Sequence, residues 1–174
     1  GLLDAVRRHH MPSVSGWRLD CDAASPTQSW YLDLLRVNQT RAKSQRDVTK
    51  LSWSGAMESI VAEHLRNMTL HMSLVVADLP GGNHGVTPPD RIPETRRVMF
   101  EAIDHFVLLS REDKPESRQG WLDALKVCGL EGRVIADLSS RDPQATPGAA
   151  LQRSADGRWR GAVSGLDRTH DTPT

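Results

Sequence analysis

Asp78 closes a short apolar run, Ser73-Leu74-Val75-Val76-Ala77-Asp78, and Leu79-Pro80-Gly81-Gly82 follows it. An apolar strand that ends in Asp is how nucleotide-binding proteins with parallel sheets present a carboxylate to Mg²⁺. His84 lies in the loop just beyond, and its ordinary pKa suits a general base near neutral pH. Ser139, in Leu138-Ser139-Ser140-Arg141, follows a later apolar run, where such sheets seat a nucleotide base. Asp20 and Asp22 flank Cys21 and are further carboxylates that a substrate could meet. Arg91, Arg96 and Arg97 could supply a cation to developing negative charge. Arg96 and Arg97 fall near a helix start, where a cation opposes the helix dipole, and this mildly favours a partner anion. Each residue also has a plainer use. An Asp or a glycine here can serve an ordinary turn, a loop histidine can be solvated, and surface arginines usually are.

The elements that must position these residues follow from the pattern. The run before Asp78 is short and β-branched, as expected of a strand buried on both faces. Pro80-Gly81-Gly82 is then a turn or loop, so Asp78 sits at the carboxyl end of the strand, where open α/β sheets bind ligands. Gly82 to Ile92 is a loop rich in glycine and proline. Upstream, residues 1–10 read as an amphipathic helix with Leu2, Leu3 and Val6 on one face, stopped by Pro12. Val14 to Asp20 reads as a strand, Cys21 to Trp30 as a loop, and Tyr31 to Leu35 as a helical turn. The polar stretch Asn38 to Lys50 reads as a solvated loop. Ser54 or Gly55 to Met68 reads as a helix with Met57, Ile60, Val61, His64, Leu65 and Met68 on its packed face.

Downstream, Pro93 opens a helix through Ala102, and His105 to Ser110 is a buried strand. Pro115 opens a helix that Cys128-Gly129 stops, and Arg133 to Leu138 is a further strand. Strands and helices alternating at this spacing predict an α/β fold, a doubly wound parallel sheet with helices on both faces. After Ser139 the pattern weakens. Asp142 to Ala150 reads as loop, and Trp159 to Leu166 as an edge strand or hairpin arm. The expected division is a core over residues 1–140 and a C-terminal extension over 141–174.

The chain has 174 residues, with 22 Lys and Arg against 22 Asp and Glu, so its formal net charge is zero. That removes the simplest argument for a nucleic-acid or anionic-membrane surface, and direct nucleic-acid binding is not expected. No apolar run approaches the length of a membrane span, so no membrane partner is expected. The two cysteines, Cys21 and Cys128, fit neither a disulfide framework nor a zinc site, which suggests a reducing cytoplasm. No His-Glu-x-x-His or Cys-His spacing occurs, so a dedicated metal cage is not expected. The chain opens inside a helical pattern without an initiator Met and ends without a stop signal, so it reads as truncated.

Taken in order, Val75 to Gly82, Pro93-Glu94-Thr95-Arg96-Arg97, Ala102 to Arg111, Trp121, Gly129-Leu130, Val134 to Leu138 and Gly161 to Arg168 form a more specific pattern. It resembles the P-loop ATPase-like, kinase-like module fused to CRISPR-associated ring nucleases, which degrade cyclic oligoadenylates. The resemblance spans residues 1–168 and is densest over 70–138. It implies binding of ATP and Mg²⁺, with hydrolysis or phosphoryl transfer, in antiviral signalling. It also implies a ring nuclease domain in the same polypeptide, and a homo-oligomer is a further expectation. On that resemblance Asp78 matches the metal-site carboxylate, and Gly81 and Gly82 would let backbone approach the γ-phosphate. The phosphate loop Gly-x-x-x-x-Gly-Lys-Ser/Thr occurs nowhere in the 174 residues and is expected just upstream of Gly1. The alternative is a non-catalytic α/β module for assembly or ligand sensing. A flavodoxin-type protein fits less well, because no Ser/Thr-rich phosphate loop follows either early strand.

Overall fold

The computed structural model describes residues 16–21, 37–49, 54–82, 86, 88–142 and 144–166. They fall into two compact units, one drawn from residues 1–81 and 93–103, the other from 82–92 and 104–174. The fold is α/β, and among the described residues three of the four strand pairings are parallel. The expectations for residues 1–10, 22–36 and His84 lie outside the described residues.

In the first unit, β1 (Gly16–Asp20) pairs in parallel with β2 (Leu74–Asp78). Among the described residues between them are the helices α1 (Gln39–Thr49) and α2 (Gly55–His71). The polar stretch expected to be a solvated loop is therefore the helix α1. The Asn38 side chain accepts the Arg41 N–H at 2.9 Å, supplying the N-cap that lets so polar a segment begin. Ser54 caps α2 in the same way, accepting the Met57 N–H at 3.3 Å.

Helix α2 packs on β2 and on the short helix α3 (Arg97–Glu101), which a 3-10 turn at Glu94–Arg96 introduces after Pro93. Its buried stripe is Glu58, Ala62 and Leu65, at i, i+4 and i+7. Of the face that the sequence predicts, Leu65 is buried and Met57, Val61 and Met68 are half-buried, whereas Ile60 and His64 are exposed. The cause is Glu58, which turns inward to accept the Arg96 Nε–H at 3.1 Å. His64 precedes Leu65 and points about 100° away from it around the helix. Leu65, Met99 and Phe100 form the apolar centre of this unit. Each contributes about 1.5–3 kcal/mol by leaving water. Strand β2 is only half-buried along Leu74–Ala77, not covered on both faces as its composition suggests.

The second unit carries β3 (Phe106–Arg111), α4 (Pro115–Val127), β4 (Val134–Ser140), β5 (Gly148–Arg153) and β6 (Trp159–Ser164). The strand order is β3-β4-β6-β5. Burial alternates along β3, with Phe106, Leu108 and Ser110 inside, on the side that α4 packs against. Helix α4 ends as its sequence predicts. Gly129 adopts φ 72°, the Leu130 N–H donates to the Leu125 carbonyl at 2.8 Å, and the Gly129 N–H donates to Lys126 at 3.0 Å. This pair of bonds is a Schellman cap, and glycine is the residue that enters its left-handed position without strain.

The C-terminal segment departs from expectation. Gly148–Ala150, read as loop, is the start of β5, whereas β6 is a hairpin arm, one of its two expected forms, antiparallel to β5 and inside the sheet between β4 and β5. The sequence conceals β5 because all six of its residues are exposed, so no apolar alternation marks it.

Candidate functional site

The two strands of the first unit end alike, each with an aliphatic residue and then Asp: Leu19-Asp20 and Ala77-Asp78. The parallel register pairs Asp20 with Asp78. Register partners on neighbouring parallel strands project to the same face, and the strands lie about 4.8 Å apart. The structure thus sets two carboxylates side by side at the carboxyl edge of β1 and β2. The Cys21 N–H donates to the Asp78 carbonyl at 2.9 Å, carrying the pairing one residue past the strands. Asp78 is exposed, and its carboxylate makes no hydrogen bond or ion pair among the described residues. Asp20 is half-buried.

Cys21, fully buried beside this pair, has its thiol pKa pushed up to about 12. Burial is the larger cause, and the negative charges of Asp20 and then Asp78 add to it. A thiol held neutral in this way is a poor nucleophile and a poor metal ligand. The chemistry of the edge therefore belongs to the carboxylates.

The remaining sequence-derived candidates are placed as follows. Gly81 is exposed just after the buried Pro80. Gly82 belongs to the second unit and adopts φ 83°. A Cβ there would lie 2.7 Å from the carbonyl oxygens of Asp90 and Arg91. The close approach that this glycine permits is thus to the chain's own backbone at the end of the loop. His84 and Asp22 lie outside the described residues. Ser139 is half-buried on β4 between Ser110 and Ala162. It lines an open pocket of about 440 Å³ together with Glu112, Arg141, Ala150, Gln152 and Ala162.

The three candidate arginines all have partners within the chain. Arg96 holds Glu58, Arg97 Nε donates to Glu101 at 2.8 Å, and the Arg91 guanidinium lies 5.8 Å from the centre of the Trp121 ring. Arg97 is partly exposed, whereas Arg96 is not the solvated surface residue expected but lies largely buried against Glu58.

Two features escaped the sequence reading. In the sequence Asp20 stands out only as one of two carboxylates flanking Cys21, although the matching aliphatic-Asp ends of the two strands are a usable signal. The second is Asp137, buried in the middle of β4, where Arg118 of α4 grips it with both donors. A lone Asp inside an apolar run is the sign of such a buried pair.

The carboxylate pair offers hard oxygen donors at a solvent-facing edge. Among the described residues, no group of three or more His, Cys, Asp or Glu is arranged to hold a metal. Comparison with protein-family models, curated proteins and solved structures finds no match to the chain. Its residues alone carry the functional argument. No helix among the described residues is long and apolar enough to cross a membrane.

Proposed function

We propose that the edge formed by Asp20 and Asp78 binds the Mg²⁺ complex of a nucleotide, ATP foremost, and supports hydrolysis or phosphoryl transfer. The observation that carries this reading is the register pairing of the two aspartates at the carboxyl ends of parallel strands. Mg²⁺ is characteristically held by one or two carboxylates, with waters and substrate phosphates completing its shell. The donor set fits that requirement without a third protein ligand. Bound Mg²⁺ would neutralise phosphate charge and polarise water. Asp78, exposed at the strand end, would be the residue to hold the ion and its water, and Asp20 would offer a second carboxylate beside it. Cys21 holds the edge of the strand pair and takes no part in the chemistry.

The finer assignment, a doubly wound P-loop NTPase-like module working in CRISPR signalling beside a ring nuclease domain, belongs to this proposal. It is supported by the ordered resemblance of residues 70–138 and by the strand-end carboxylate. One observation favours the second reading, a non-catalytic module for assembly or ligand sensing. The 174 residues contain no Gly-x-x-x-x-Gly-Lys-Ser/Thr loop, the usual source of phosphate-binding N–H groups.

Titration calorimetry with ATP, with and without Mg²⁺, separates the two. The enzyme reading expects Mg²⁺-dependent binding that Asp78→Ala weakens at least about tenfold, or about 1.4 kcal/mol. The thermal melt of that variant should be unchanged, because Asp78 is exposed. Wild-type protein that binds ATP equally with and without Mg²⁺, or not at all, would sink the reading.

A further inference from the structure

Among the described residues, strand β5 is the outer strand of the four-stranded sheet and is hydrogen-bonded on one side only, to β6. All six of its residues are exposed. Half of its backbone N–H and C=O groups therefore point away from β6. Natural edge strands are usually blunted by a Lys, a Pro, a bulge or an inward-facing charge. Between Gly148 and Arg153 there is none of these. The register with β6 is unbroken, and the single charge, Arg153, stands at the end.

We propose that β5 is an assembly edge that pairs, antiparallel, with β5 of a second copy of this chain across a two-fold axis at Leu151. A two-fold axis perpendicular to a sheet keeps each face on its own side. Only registers that oppose residues of the same face are then allowed. Centred on Leu151, the pairing opposes Leu151 to its own copy, Ala149 to Arg153, and Ala150 to Gln152.

The row of residues that runs through Leu151 argues for this register. Leu109 pairs with Leu138, Leu138 with Gly161, and Gly161 with Leu151. These positions share one face, on which Leu109 is 50% and Leu151 46% exposed. The two-fold axis would join this row to its copy, so that one apolar ladder crosses an eight-stranded sheet. Cross-strand apolar pairs of this kind stabilise a sheet.

Charge also selects a second copy over a charged partner. The only charge on β5 falls opposite Ala149, so no like charges meet across the axis. The chain's formal net charge is zero, so two copies do not repel at long range. The interface closes on itself, as two-fold interfaces do, and leaves no free β5 edge.

Sedimentation velocity on the full chain, without nucleotide or Mg²⁺, tests this independently of the enzymatic reading. Wild-type protein should sediment as a dimer, and Leu151→Lys as a monomer with an unchanged thermal melt. In a Cys128→Ser background, Leu151→Cys should give a dimer with a short bis-maleimide crosslinker, whereas the same background without it should not. The crosslink decides the matter if the lysine variant folds poorly. A wild-type monomer at every concentration reached, a dimer that survives Leu151→Lys, or no crosslink at position 151 would each overturn the proposal.

Discussion

The carboxyl edge of β1 and β2 and the interior of the β3-β4-β6-β5 sheet treat carboxylates in opposite ways. At the first, Asp78 stands exposed and unpaired beside Asp20, and two like charges share one end of a strand pair. In the second, Asp137 is buried and Arg118 answers it with two donors, which raises the guanidinium pKa further. Paired charge inside a sheet fixes the docking of a helix. Two neighbouring carboxylates at a strand end repel each other, and a bound cation would relieve that repulsion. The contrast separates a region satisfied by its own chain from one with capacity left for a ligand.

The contrast breaks most completely at Gly161. Its φ is 152°, and a Cβ there would lie 1.9 Å from the Ala150 carbonyl oxygen. That atom belongs to the backbone of the neighbouring strand, so no side-chain movement can relieve the overlap. Gly161→Ala should cost more than about 3 kcal/mol and separate β5 from β6. Gly132→Ala, with nothing within 4 Å of the added carbon, is the matched control and should stay within about 0.5 kcal/mol. Urea melts of the two variants make the comparison. Equal melts would mean that the second unit is less tightly determined than its packing implies.

Arg118→Ala should come next. It leaves the buried Asp137 without a partner, and breaking a buried pair costs about 3–5 kcal/mol. The Arg118 side chain is 36% exposed, so solvent reaches its end of the pair and the low end of that range is expected. Asp137→Asn combined with Arg118→Ala should recover part of the loss, because the uncompensated charge is then gone. A double variant no more stable than Arg118→Ala would show that packing of the arginine stem, not charge, holds α4 to β4.

How much of this was legible depended on whether the signal was local. Pro115 at one end of α4 and Gly129 at the other mark that helix in the sequence, because helix start and stop chemistry resides in single residues. The run ending in Asp78 was readable for the same reason. Helix α1 was not, because its polarity matched that of a loop and its start rested on one Asn38 side chain. The packed face of α2 was legible at Met57, Val61, Leu65 and Met68 but not at Glu58, because carboxylates are normally counted outside. Strand β5 has no alternation to read. The pairing of Asp20 with Asp78 depends on the register between segments more than fifty residues apart. No local pattern encodes that, although both strand ends carried the same aliphatic-Asp sequence.

The smallest expected effect lies beside the carboxylates and is seen only in alkali. Cys21 is held near pKa 12 when folded, against an ordinary thiol value near 9. A raised folded value means that the stabilisation is complete below the unfolded pKa and is lost as pH rises through the window from about 9 to about 12. In that window the unfolded chain has released a proton that the folded chain retains, so stability falls with pH. Between neutral pH and about pH 10, wild-type protein should lose about 1.4 kcal/mol more than Cys21→Ala, since each pH unit past the ordinary thiol value is worth about that much. Asp78→Asn should shorten the window from above, because it removes one of the two negative charges that raise the thiol. Burial, the larger cause, would remain. Denaturant melts of wild type, Cys21→Ala and Asp78→Asn across this pH range measure the difference. Parallel pH profiles for wild type and Cys21→Ala would mean that the thiol is not sealed beneath the carboxylate edge, and the contrast between an open edge and a closed interior would lose its sharpest boundary.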